Sequence, residues 1–134
     1  MSNAIVQVGP IEKSKTGKST VRATLGGSFS SDDVGLIKGW AEGLSSAIKD
    51  EAKGKNKSVS ILINITSLET YGDPAIITIL SELMKGDDPF VYKTATYGGK
   101  PLHEMIQDVI ESMAGRNNLK NFKTENEALA WLAE

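Results

Sequence analysis

The stretch from Ser58 to Met84 constrains the fold most, because two apolar runs of different periodicity flank a short polar segment. The first run, from Val59 to Ile65, is rich in β-branched residues and too short for a typical helix, which predicts a strand. Its apolar residues alternate onto one face, and Leu62 joins a second, partly polar face, as in a central strand covered on both sides. The second run has helical spacing and follows Asp73 and Pro74, which suit an N-cap and a first helical position. The stretch therefore predicts strand, loop and helix in that order.

The rest of the chain predicts further strands and helices in alternation. The predicted elements are an antiparallel hairpin over 5–26, a helix over 34–48, a strand over 90–97, a helix over 102–113, a short strand over 119–122 and a last helix that begins after Thr124. This order predicts an α/β fold with a mixed, mainly parallel sheet, an N-terminal hairpin and about four helices. A chain of 134 residues is expected to form one domain, residues 1–134.

Composition excludes several classes of function. The absence of cysteine excludes disulfides, thiolate metal sites and cysteine catalysis. Fifteen basic and 17 acidic residues are mixed along the chain, so no nucleic-acid partner is expected. His103 is the single histidine, and no nucleophile–base pair accompanies it, so we predict no catalytic residue, metal or cofactor. No apolar run reaches about 18 residues and the start of the chain lacks signal-peptide features, so no membrane span and a cytoplasmic location are expected.

The loop after the predicted central strand is the strongest candidate site, because partners and ligands of α/β sheets bind at the carboxyl ends of strands. This loop combines hydroxyl groups, two carboxylates and one aromatic residue. The sequence suggests no base for a catalytic serine, so a partner-binding or regulatory role is favoured over catalysis. An ordinary polar loop with a helix cap is the competing interpretation. The predicted residues are Thr66, Ser67, Thr70, Tyr71, Gly72 and Asp73.

A second candidate site lies between the strand over 90–97 and the helix after it. Gly98, Gly99 and Lys100 precede Pro101, and free N–H groups at a helix start can hold an anion. The positive charge of Lys100 adds to this prediction. A tight turn is the alternative that the glycine pair favours.

With this order of elements, the chain resembles the SpoIIAA-like proteins of the STAS group, which includes anti-sigma-factor antagonists and domains of sulfate transporters. The resemblance is carried by 61–66, a hydrophobic strand ending in a polar loop, and by 121–132, a phenylalanine followed by an EALAWL-type helix. It implies a STAS-like fold without enzymatic activity. It also implies a protein partner and a switch through phosphorylation of a serine at the start of the helix after the central strand. Asp73 stands at or beside the place of that serine, and Asn64 stands where the family often has an aspartate.

The leading hypothesis is therefore a regulatory module that binds a protein partner through the loop after the central strand. In this hypothesis Asp73 caps the helix and Tyr71 supplies contact area, so Tyr71→Ala is expected to weaken partner binding without unfolding the protein. The alternative is a carrier of a small apolar or lipid-like ligand, motivated by the isoleucine and methionine content of 76–84 and 102–113. Core packing also explains that content. A homodimer through the outer edge of the hairpin is a further hypothesis.

Overall fold

The structure is a computed structural model that describes residues 4–13, 19–70, 73–87, 89–100, 108 and 118–134. Six strands and three α-helices lie in that part of the chain. They are β1 (Ile5–Lys13), β2 (Ser19–Ser28), α1 (Val34–Ala52), β3 (Val59–Asn64), β4 (Leu68–Thr70), α2 (Pro74–Asp87), β5 (Val91–Tyr97), β6 (Leu119–Phe122) and α3 (Glu125–Leu132). The helix predicted over 102–113 lies outside the described residues except for Asp108, which is helical.

The strands form one mixed sheet with the order β1-β2-β3-β5-β6, in which β1 alone is antiparallel to its neighbour. The pairs β2–β3, β3–β5 and β5–β6 are parallel, and β4 pairs with β2 beyond the end of β3. The predicted mainly parallel sheet with an N-terminal hairpin and a central β3 is confirmed. The described part of the chain has three α-helices with defined bounds, and the helical Asp108 lies within the range of another of the roughly four predicted.

The two faces of the sheet are covered by different helices. Alternate residues of β2 and β3 pack with α1 and α2 in the larger core, in which Val21, Ile37 and Leu44 are fully buried. The opposite face carries a smaller core in which Leu62 and Ala95 pack against α3. The placement of Leu62 on a second face of β3 is thus confirmed. No helix in the described ranges is long and apolar enough to cross a membrane.

The outer strand β1 continues past Gly9-Pro10 through a register shift between Val8 and Ile11. Trp40 of α1 reaches this strand and donates a hydrogen bond from Nε1 to the carbonyl oxygen of Gln7 at 2.9 Å. That bond attaches α1 to the outer strand of the sheet. Dimerisation through this edge stays a prediction.

The predicted loop over 66–72 contains a strand, β4, and this part of the prediction was wrong. Leu68 is buried, with 1% of its surface exposed, and Glu69 is exposed, as expected for alternate residues of a strand. This alternation of buried and exposed residues covers too few positions to be recognised in the sequence. Gly26, the last residue of the predicted hairpin, lies inside β2 near the point where β2 passes from β3 to β4.

Candidate functional site

The chain leaves β3 through a turn whose backbone is held by hydrogen bonds; we call Asn64–Leu68 the edge turn. The Asn64 side chain accepts a hydrogen bond at Oδ1 from the backbone N–H of Thr66 at 2.9 Å. The N–H of Leu68 donates to the carbonyl oxygen of Ile65 at 3.1 Å, and the N–H of Ile65 donates to that of Tyr97 at 3.1 Å. The edge turn is therefore attached both to itself and to the end of β5.

The edge turn also lies directly against two glycines. Gly98 has a φ of +85°, and a Cβ added there would lie 2.8 Å from Cα and 3.0 Å from Cβ of Thr66. A Cβ added to Gly26 would collide with Oγ of Ser67. The neighbouring Gly27 donates its N–H to the carbonyl oxygen of Ser67 at 2.9 Å. The turn consequently fits this closely because neither glycine has a side chain.

Burial alternates sharply within the edge turn. Ile65 and Leu68 are 2% and 1% exposed and anchor the turn in the larger core. Thr66 and Ser67 between them are exposed, and their hydroxyl groups have no hydrogen-bond partner among the described residues. The structure thus presents two predicted site residues on a firmly attached backbone, with their hydroxyl groups accessible.

The other predicted residues of this loop are distributed over two elements. Asp73 caps α2, since its Oδ1 accepts the N–H of Ala75 at 2.9 Å and its carbonyl oxygen accepts that of Ile77 at 3.0 Å. The predicted N-cap role of Asp73 is confirmed. Thr70 ends β4, and Tyr71 and Gly72 lie outside the described residues.

The structure places the second predicted site beside the first. The N–H of Gly98 donates to the carbonyl oxygen of Phe122 at 3.0 Å, so this donor is not available to an anion. Gly99 is half-buried, Lys100 is exposed, and Pro101 lies outside the described residues. The contact of Gly98 with Thr66 was missed from the sequence, where the glycine pair indicated a turn but not what packs against it.

In the described part of the chain, neither the possible metal ligands nor the apolar residues of α2 form a separate site. No cluster of three or more His, Cys, Asp or Glu side chains is placed to hold a metal ion there, and His103 lies outside it. On α2, Ile76 is fully buried and Leu80 is 7% exposed, and both belong to the larger core. The apolar residues of α2 that motivated the carrier hypothesis therefore pack against other side chains.

Comparisons with known proteins agree with this architecture. No family model and no curated protein matches the sequence. The structure is similar to that of an uncharacterised DUF3478-family protein with a SpoIIAA-like fold from Shewanella loihica, with a TM-score of 0.65 and 17% identity over 98% of this chain and 97% of that one. It is also similar to an anti-sigma-factor antagonist (STAS) domain protein from Planctomyces limnophilus, with a TM-score of 0.51 and 16% identity over 96% and 98% of the two chains.

These similarities define the class of fold. The chain has the SpoIIAA-like fold of STAS domains, as its resemblance to this group predicted. At this level of identity the similarity concerns the fold alone.

Proposed function

We propose that the protein is a non-enzymatic regulatory module that binds a protein partner at the carboxyl edge of its sheet. The docking surface consists of Thr66, Ser67, Thr70 and Asp73, with Tyr71 and Gly72 added from the sequence. The proposal includes a cytoplasmic location and a single domain over the whole chain.

The observation that carries this proposal is the fixed backbone of the edge turn. A loop that orders only on binding reduces affinity by the entropy of that ordering, whereas a pre-organised surface avoids most of this cost. The hydrogen bonds and glycine contacts of the edge turn provide such pre-organisation before any partner arrives. Its exposed hydroxyl groups can both donate and accept hydrogen bonds, as contacts between proteins require.

The fold comparison supports the same kind of function. The Planctomyces limnophilus protein is named as an anti-sigma-factor antagonist domain, and an antagonist of that kind acts on another protein. In the present chain, the carboxylate of Asp73 is engaged in capping α2. It supplies about one negative charge, compared with nearly two for a phosphate group. Modification of Ser67 or Thr70 would therefore add a larger change of charge than Asp73 provides.

Site-specific cross-linking in cells tests where the partner docks. A photoreactive benzoylphenylalanine replaces Ala75, an exposed residue in the first turn of α2, and in a matched variant replaces Ala130, an exposed residue of α3. The proposal predicts a discrete cross-linked protein from position 75 and none from position 130. A cross-link from position 130 alone, or none from position 75, would contradict it.

Mass measurement of the protein purified from its own cells distinguishes the alternative functions. A native mass that exceeds the denatured mass by a lipid-sized molecule would favour the carrier hypothesis. A denatured mass increased by one phosphate would show that the chain is phosphorylated, and peptide mapping would show whether Ser67 or Thr70 carries the phosphate.

A further inference from the structure

A row of polar side chains crosses the sheet on the face that carries α3. Gln7 pairs with Thr24, Thr24 with Asn64, and Asn64 with Tyr97, so the four residues are neighbours on four adjacent strands. We call them the cross-strand row. Adjacent strands are about 4.8 Å apart, so the row extends over roughly 14 Å. None of these residues is adjacent in sequence, and the sheet register alone brings them together.

The hydrogen-bonding capacity of this row is largely unused among the residues that the structure describes. The side chains of Gln7, Thr24 and Tyr97 have no hydrogen-bond partner among the described residues. Asn64 uses Oδ1 to hold the edge turn, and its Nδ2 has no partner within the same ranges. Gln7 is exposed and the other three are half-buried. Within the described part of the chain, water or a ligand therefore remains to bond these polar atoms.

The charges beside the row already compensate one another. Arg22, two residues before Thr24 on the same face, forms ion pairs with Glu12 and with Glu125, the latter at 2.6 Å. Two carboxylates thus surround this guanidinium group, and together with the exposed Lys120 on the same face these four groups carry no net charge. Partial burial, together with the nearby Glu125 carboxylate, raises the pKa of Tyr97, so its hydroxyl stays neutral near neutral pH.

Apolar surface lies at both ends of the row. Ile5 is 53% exposed and lies two residues before Gln7 on the same face of β1. At the other end, the ring of Tyr97 packs with Phe122 against α3. A ligand on the row would therefore contact aliphatic and aromatic groups as well as hydrogen-bonding groups, as small-molecule sites usually provide.

We propose that the cross-strand row binds a neutral polyhydroxylated molecule of the sugar or polyol class. Each side chain of the row can both donate and accept hydrogen bonds, as each hydroxyl group of a polyol can. The compensated charge of Arg22 favours a neutral ligand over a phosphorylated one. An extended peptide is disfavoured because its donors and acceptors alternate along a strand edge, whereas these groups lie across the strands. This site shares Asn64 with the edge turn, but the proposal does not depend on the proposed partner binding.

An NMR titration of the ¹⁵N-labelled full chain tests the proposal, with maltose and myo-inositol as neutral probes. Glucose 6-phosphate and an acetylated tripeptide amide serve as comparison probes. We expect saturable shifts of the amide signals of Thr24, Asn64 and Tyr97 with at least one neutral probe.

Thr24→Val keeps the shape of the side chain and removes its hydroxyl, and should weaken that binding at least tenfold. Thr20→Val is the matched control, on the same face of the same strand four residues away, and should bind as the unmodified protein does.

Each other outcome overturns the proposal. Absence of saturable shifts with both neutral probes would mean that the row is only hydrated. Stronger binding of glucose 6-phosphate would contradict the charge argument, and stronger binding of the tripeptide amide would assign the row to a peptide. Equal weakening by Thr24→Val and Thr20→Val would show a general effect on β2. Cross-linking from position 75 in the Thr24→Val variant reports separately on partner binding, so the two proposals can fail independently.

Discussion

Glycines occur in two contrasting settings in this molecule. At the carboxyl edge, Gly98 and Gly26 lie where a Cβ would collide with the edge turn. On the exposed side of α1, a Cβ added to Gly35 or Gly39 would meet nothing within 4 Å among the described residues. The first pair allows one segment to approach another, whereas the second pair lowers helix stability without any visible contact. The contrast shows that the edge turn, where we place the docking surface, packs tightly against its neighbours, whereas this side of α1 is open among the described residues.

The largest effect is expected for Gly98→Ala. The substitution places a Cβ at a left-handed φ and against the backbone of Thr66, so both strain and displacement of the turn contribute. We expect the free energy of unfolding to fall by about 2–3 kcal/mol, measured by urea denaturation. A loss within the range of ordinary surface substitutions, about 0.5 kcal/mol, would mean that the edge turn moves away at little cost.

A smaller effect is expected for Gly26→Ala, because the new Cβ would meet the end of the Ser67 side chain and not its backbone. We expect a loss of about 1 kcal/mol in the free energy of unfolding. The double variant Gly26→Ala with Ser67→Ala removes the colliding Oγ and should recover most of that loss. Additive losses in this double-mutant cycle would show that the two residues do not interact.

The smallest effect, and one of opposite sign, is expected for Gly39→Ala. Alanine restricts the unfolded chain more than glycine does and fits an exposed helical position where nothing opposes its Cβ. The free energy of unfolding should rise by about 0.5–1 kcal/mol in the same denaturation experiment. Destabilisation would indicate that this face of α1 is in contact with something, and the contrast between the two settings would then be lost.

Local signals in the sequence were sufficient for most elements of the fold. The alternation of β3 and the Asp73-Pro74 pair predicted strand, cap and helix correctly. The strand β4 was missed because its three residues include a single buried leucine, which is too little to show the two-residue repeat of apolar side chains in a strand. Its pairing with β2 depends on contacts distant in sequence.

The candidate site was predictable only in part, because it too depends on contacts between residues that are distant in sequence. Thr66 and Ser67 could be selected because hydroxyl residues follow a buried strand, and the structure places both at the carboxyl edge. Their contacts with Gly98 and Gly26 join residues that are 30 or more positions apart. The pairing of Asn64 with Tyr97 likewise follows from the register, which a single sequence does not specify.

The most direct test of partner binding at the edge turn uses the two kinds of glycine as a matched pair. The photoreactive residue is kept at position 75, and the yield of cross-linked partner is compared in the Gly98→Ala and Gly39→Ala backgrounds, with thermal unfolding confirming that both proteins are folded. Our account predicts at least a tenfold lower yield with Gly98→Ala and an unchanged yield with Gly39→Ala. Equal yields from the two folded variants would contradict the claim that the geometry of the edge turn determines partner binding.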